Sequence, residues 1–267
     1  MKIITLIENL AYKQGLVAEH GLAIFIESEN RKILFDTGQS GLFLQNAAIL
    51  GINIEDIDIL ILSHGHYDHT GGLYPFLKKN FKAKVYAKNE IFTPKYHGAD
   101  RFIGVEKNEA LLKDRFIPLN SITEIVENIF IMPEIPIYNR IDTHFKGLTI
   151  KNNENELISD EFSDELFLVI KQNNKINIIT ACSHRGITNI CKAAVDYFKL
   201  PVNLLLGGFH MKESTQTQYT EISSFLKQLK PQHIGVCHCT GIDKYAELRN
   251  DCGTNVFYNF TASEIEV

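Results

Sequence analysis

Residues 62–72 read LSHGHYDHTGG and place His64, His66, Asp68 and His69 within six positions. Imidazole nitrogens and carboxylate oxygens are the donors that Zn²⁺ takes, and Fe and Mn take them as well. In extended backbone, residues two apart point the same way, so His64 and His66 project together. Asp68 and His69 are displaced by a turn, at the expected start of a helix. One pair is thus placed to hold one ion and the other pair a second. Gly65 removes bulk between the first two ligands, and Thr70, Gly71 and Gly72 let the chain turn closely beneath them. A solvated loop accounts for any one of these side chains. It does not account for all of them directly after the apolar run IDILILS (57–63).

One segment cannot close such a site, because a catalytic zinc takes three protein ligands and keeps an open position. The remaining ligands are expected at other strand ends, where loops carry function on a rigid scaffold. His184, His210 and His238 each follow an apolar, strand-like run and stand beside glycine or a tight turn. They are expected to cluster with the first motif. His184 and His238 are read as ligands, and His210 as an acid or substrate contact just outside coordination. His20, His97, His144 and His233 fit less well. His144 is the nearest of them to inclusion, because IDTHFKG could fold back over the site. Cys237 and Cys239 flank His238; in extended backbone their thiols point away from the imidazole and are read as packing. Cys182 stands two residues before His184 and could face the same way, although a buried free thiol is its commoner role. Arg185 and Gly186 open a helix-like run to Lys199, and a helix N-terminus can hold phosphate.

These residues need a frame. KIITLIE (2–8), GLAIFIES (21–28) and RKILFDTG (31–38) read as strands, the last two forming a hairpin across Glu29 and Asn30. SGLFLQNAAIL (40–50) has helical spacing. IDILILS reads as a strand covered on both faces. Residues 93–160 look irregular, and NNENELISDEFSDE (152–165) reads as an exposed acidic loop. A second hairpin is expected over 165–181, then a helix to Lys199. VNLLLGG (202–208), a helix over 216–229 and HIGVC (233–237) follow, with a last helix and strand. Strand–helix alternation in both halves suggests an α/β chain with two mixed sheets packed face to face and helices outside. No Pro-rich or Gly/Ser-rich linker interrupts it, so one domain over 1–267 is expected.

His64-Gly65-His66-Tyr67-Asp68-His69 resembles the HxHxDH signature of the metallo-β-lactamase superfamily, and Phe35-Asp36-Thr37-Gly38 resembles its FDTG segment. The resemblance spans nearly the whole chain and implies an αββα four-layer sandwich. Ala181-Cys182-Ser183-His184-Arg185-Gly186-Ile187, Gly207-Gly208-Phe209-His210 and His238-Cys239-Thr240-Gly241 are similar to a narrower group. That group is named for 7,8-dihydropterin-6-methyl-4-(β-D-ribofuranosyl)aminobenzene 5′-phosphate synthase, and it also contains metal-dependent hydrolases. The chain departs from many superfamily members in lacking an HTPGH-like segment. It also lacks a bridging aspartate at the end of the later strand.

The resemblance and the residue chemistry imply a metal-dependent hydrolase that uses a metal-activated hydroxide on an anionic, phosphate-bearing small molecule. Asp68 would be ligand and proton acceptor. Asp36 would fix an imidazole tautomer, or else cap a turn. Zn²⁺ is expected, as one or two ions, with Fe or Mn as alternatives. A pterin-linking synthase and a di-iron redox or sensor protein are the competing functions. The net charge of −5, with acidic and basic residues interspersed, provides no field to draw in nucleic acid. The apolar stretch at the N-terminus is too short for a signal peptide or a membrane span. Five cysteines, an odd number, fit reduced thiols in the cytoplasm.

Overall fold

β-branched and aromatic runs build the sheets of this chain. Its structure, a computed structural model, describes residues 1–28, 31–152, 154 and 156–267. The chain divides into two compact units, each with its own sheet and its own apolar core. One unit comprises Met1–Asn120, Phe145–Asp164 and Phe260–Val267; the other comprises Ser121–His144 and Glu165–Asn259. Both are mixed α/β, the class expected.

The seven-stranded sheet of the first unit runs in the order Glu264–Glu266, Lys2–Ile7, Ala23–Glu27, Lys32–Phe35, Ile59–Ile61, Lys84–Ala87 and Phe116–Pro118. Pairing is antiparallel up to Lys32–Phe35 and parallel beyond it. The sheet of the second unit repeats this plan. Val256–Tyr258, His233–Val236, Val202–Gly207 and Lys175–Ile179 pair in parallel. Phe167–Gln172, Ile129–Met132 and Thr123–Val126 continue it antiparallel. The parallel strand Ile59–Ile61 is buried throughout, as a strand covered on both faces must be. Functional groups gather beyond the carboxyl ends of parallel strands. Asp36 and His64 occupy such ends in the first unit; His184, His210 and His238 occupy them in the second.

The expected hairpins form. Ile24 pairs with Phe35 in the first, whose turn residues Glu29 and Asn30 lie outside the described residues. The second turns through Asn173 and Asn174, at φ 50 and φ 56. A tight hairpin turn needs two left-handed residues, and asparagine tolerates that conformation. The helix Ile187–Phe198 buries Ile187, Ile190, Cys191 and Ala194, the spacing of a single apolar face. Among the described residues, no helix is long and apolar enough to cross a membrane.

Two expectations need correction. The irregular middle contains a four-stranded antiparallel sheet, ordered Leu157–Ser159, Leu148–Lys151, Lys95–His97 and Arg101–Phe102. Its strands have only two to four residues, too few for alternation to register. The acidic run is not simply an exposed loop. Leu157–Ser159 is exposed, but Asp160, Phe162, Asp164 and Glu165 are buried.

Candidate metal centre

In the first unit, His66 is the extended N-cap of the short helix Tyr67–Thr70, which carries Asp68 and His69 in its first turn. All four ligand candidates are buried. The ring centroids of His64 lie 4.8 Å from those of His66 and 4.3 Å from those of His69. Ligand nitrogens of His64 and His66 come within 4.8 Å of one another, as do those of His64 and His69. Asp68 Oδ2 is 3.7 Å from His69 Nε2. The unit therefore brings the whole motif together around a small volume.

One buried carboxylate orients two of these rings. Asp36 Oδ1 accepts the Ser63 main-chain N–H at 2.7 Å, and Oδ2 accepts Ser63 Oγ–H at 2.7 Å. Oδ2 also accepts His69 Nδ1–H at 2.7 Å. A carboxylate can only accept, so Nδ1 of His69 carries the proton and Nε2 carries the lone pair. Ser63 Oγ has given its own proton to Asp36. It therefore accepts from His64 Nδ1, 2.9 Å away, and the lone pair of His64 is also at Nε2. Burial, followed by the neighbouring His69 and His66, holds the His64 pKa well below 6.5. The neutral ring is the form that coordinates a cation.

The segment after Asp36 cradles the turn. Thr37 donates both its main-chain N–H and its hydroxyl to the His69 carbonyl, each at 2.8 Å. A Cβ on Gly71 would stand 2.0 Å from the Gln39 carbonyl oxygen, and one on Gly72 would stand 2.2 Å from that of Thr37. Gly72→Ala is thus expected to cost about 1–3 kcal/mol, the usual range for overpacking. A lowered urea midpoint checks this; an unchanged midpoint would contradict the packing. His20 was set aside in the sequence, yet its Nε2 lies 3.1 Å from Asp68 Oδ2. It arrives on a loop with no local signature.

In the second unit, Glu165 accepts the main-chain N–H groups of His184 and Arg185, each at 2.7 Å. Ser183, at φ 57, donates its hydroxyl to the Gly208 carbonyl at 2.8 Å. A Cβ on Gly207 would stand 2.2 Å from the Thr180 carbonyl oxygen, so glycine lets the two strand-end loops touch backbone to backbone. The His184 and His210 ring centroids are 4.4 Å apart. His144 joins them, stacked on His210 at 4.9 Å. Its N–H donates to the His184 carbonyl at 2.8 Å, and its own carbonyl lies 3.3 Å from His184 Nδ1. That contact holds the Nδ1 proton of His184 and leaves its lone pair on the buried Nε2. Within IDTHFKG, it is His144 that packs beside His184 and His210.

The extended geometry assumed around His238 is not what forms. Cys237 is extended, but His238 has φ 51 and begins a 3₁₀ turn, His238–Thr240. Cys239 is therefore not turned away: ligand atoms of Cys182, His238 and Cys239 all lie within 4.8 Å of one another. Cys237 is fully buried. The helix end assigned to a substrate anion is also different. Gly186 caps it at φ 99, and the Thr188 N–H donates to Asp142 Oδ2 at 2.7 Å. The protein's own carboxylate fills that position. Arg185 Nε donates to the Ile135 carbonyl at 2.9 Å.

Residues 16–149 match the family model of the metallo-β-lactamase superfamily. An uncharacterised protein of Methanocaldococcus jannaschii is 32% identical over 255 residues, 92% of this chain and 94% of its own. The 7,8-dihydropterin-6-methyl-4-(β-D-ribofuranosyl)-aminobenzene-5′-phosphate synthase of the same organism is 31% identical over 259 residues, covering 90% of this chain and 88% of that one. The crystal structure of Tm1679, a metal-dependent hydrolase of the β-lactamase superfamily, matches with a TM-score of 0.86 at 29% identity, over 100% of this chain and 99% of that one. Family model, relatives and fold agree with the His64–His69 geometry: the chain belongs to the metallo-β-lactamase superfamily.

Proposed function

We propose that this protein is a metal-dependent hydrolase acting on an anionic, phosphate-bearing small molecule in the cytoplasm. Its metal ligands are His64, His66, Asp68 and His69 in the first unit and His184 and His238 in the second. Zinc, as one or two ions, suits this set of imidazole and carboxylate donors best, with Fe or Mn as alternatives. The observation that carries the reading is the Asp36 carboxylate, which fixes the Nδ1 proton of His69 and, through Ser63, that of His64. Two buried imidazoles with Nε2 lone pairs held in place are what a cation requires.

Metal bound by these residues would supply a water of lowered pKa and a Lewis acid for an electrophile's oxygen. The chain's own groups supply the rest. Asp68 takes a proton from the nucleophile, and His20, 3.1 Å away and half exposed, passes it to solvent. His210 gives a proton to the leaving group. Arg185 holds the substrate's negative charge. Gly186 shapes the bend, because the helix end beside it is taken by Asp142.

Arg185→Ala is expected to weaken binding of an anionic substrate by about 1.5–3 kcal/mol, the range for a hydrogen bond to a charged group. Metal content should not change. Unaltered substrate affinity, or a neutral best substrate, would remove Arg185 from this role.

A second reading is favoured by the 31% identity to the synthase over 90% of the chain. The same residues would then join a dihydropterin diphosphate to an aminobenzene ribofuranosyl phosphate, again binding anions. Metal analysis followed by a screen of phosphodiesters, thioesters, lactones and pterin diphosphates separates the two. Hydrolysis of a phosphoester supports the first, and condensation of the pterin supports the second. Metal-independent turnover would contradict both.

A further inference from the structure

We infer that Asp164, backed by Lys95 and Asp160, is a positioning residue that sets the His64-Gly65-His66 loop for metal binding. The inference rests on the metal-site reading above and concerns residues of the first unit alone. Asp164 Oδ2 accepts the Gly65 main-chain N–H at 2.7 Å. The Gly65 peptide lies between the two imidazoles that must face one ion. Asp164 Oδ1 accepts from Lys95 Nζ at 3.0 Å, and the same ammonium donates to Asp160 Oδ2 at 2.6 Å. Asp160 Oδ1 accepts the Phe162 N–H at 2.7 Å, and Phe162 adopts φ 52. Its ring stands edge-on to His66 at 5.2 Å and lies 4.9 Å from Lys95 Nζ. On its other side Gly65 has no slack. A Cβ there would be 2.2 Å from the Ile91 carbonyl oxygen and 3.0 Å from Lys95 Cε.

Stability alone is a poor explanation for this network. Lys95, Asp160 and Asp164 are almost fully buried, and two carboxylates face one ammonium. Buried ion pairs are often no more stabilising than apolar side chains of the same volume. What they do provide is direction. Asp164 is gripped on one oxygen by Lys95 and presents the other to a single peptide N–H. Partners one step removed from a metal typically change its affinity 10–100-fold, and here that partner acts through the backbone of the ligand loop.

Asp164→Ala and Asp164→Asn test the assignment. Asparagine keeps an acceptor for the Gly65 N–H; its NH2 group replaces the oxygen that meets Lys95, whose ammonium turns to its other partner, Asp160. Zn²⁺ affinity of the apoprotein is measured by competition with a chromogenic chelator. The visible spectrum of the Co²⁺-loaded protein and the urea midpoint are recorded alongside. The alanine variant should bind Zn²⁺ about 10–100-fold more weakly with an altered cobalt spectrum, and the asparagine variant should recover most of the affinity. A folded alanine variant with native affinity and spectrum overturns the inference. So does an asparagine variant as weak as alanine, which would make charge the operative property. If alanine does not fold, Asp164→Glu replaces it: a shifted cobalt spectrum supports positioning and an unshifted one refutes it. Failure of the unmodified protein to bind any divalent ion would instead overturn the metal-site reading itself.

Discussion

His64→Ala and Asp68→Ala are each expected to lose bound metal and hydrolytic activity while remaining folded. Both residues occupy the first motif, and Asp68 is assigned two tasks, ligand and proton acceptor. Losing an outer partner of a metal costs roughly 10–100-fold in affinity or activity, and losing a direct ligand should cost more. Folding should survive, because each unit has an extensive apolar core of its own. Ser63 also keeps its bonds to Asp36 when His64 is removed. Elemental analysis, circular dichroism and a rate assay on each variant decide the matter. Full metal content with full activity in both variants would contradict the assignment.

Asp36→Asn should separate metal binding from stability. The amide can still accept, but it also donates. If its carbonyl keeps the Ser63 N–H, its NH2 group meets both donors now at Oδ2, Ser63 Oγ–H and His69 Nδ1–H, and the two must give way, the hydroxyl by rotating. The least costly response is for His69 to move its proton to Nε2. That leaves it unable to coordinate through the nitrogen beside Asp68. Affinity for Zn²⁺ should fall by about 10–100-fold, the effect of losing an outer partner, with little change in the urea midpoint. Asp36→Ala differs, since it strands several buried donors at about 1–3 kcal/mol each when unsatisfied. It should lower the midpoint as well as the affinity. Native affinity in the asparagine variant would show that Asp36 only caps a turn.

Much of the first unit's site was legible because its ligands crowd into one short stretch after a buried strand. Asp36 was legible too, standing at the end of RKILF. Asp164 was not. It lies 99 residues from Gly65, in a run whose composition resembles a solvated loop. Lys95 and the Gly65 N–H together make burying its carboxylate tolerable. Cys239 was misjudged because alternation presumes extended backbone, and His238 is left-handed, a conformation rare outside glycine and unmarked in the sequence. Asp142 at the helix end was hidden for another reason. An N-terminus is usually capped from the residues just before it, whereas Asp142 reaches Thr188 across 46 positions. His144 lies in a stretch without periodicity, so nothing local marked its packing against His184 and His210. The small four-stranded sheet escaped because its strands are too short to alternate.

Metal content is the most direct test of the central claim. The purified protein should carry a divalent ion, lose it and its hydrolytic activity on dialysis against a chelator, and recover both when Zn²⁺ is returned. Titrating the apoprotein should show saturable binding of at least one ion per chain, and the His64→Ala protein should not show it. A protein that retains no ion, binds none on titration, and hydrolyses its substrate equally well with and without chelator would contradict the account.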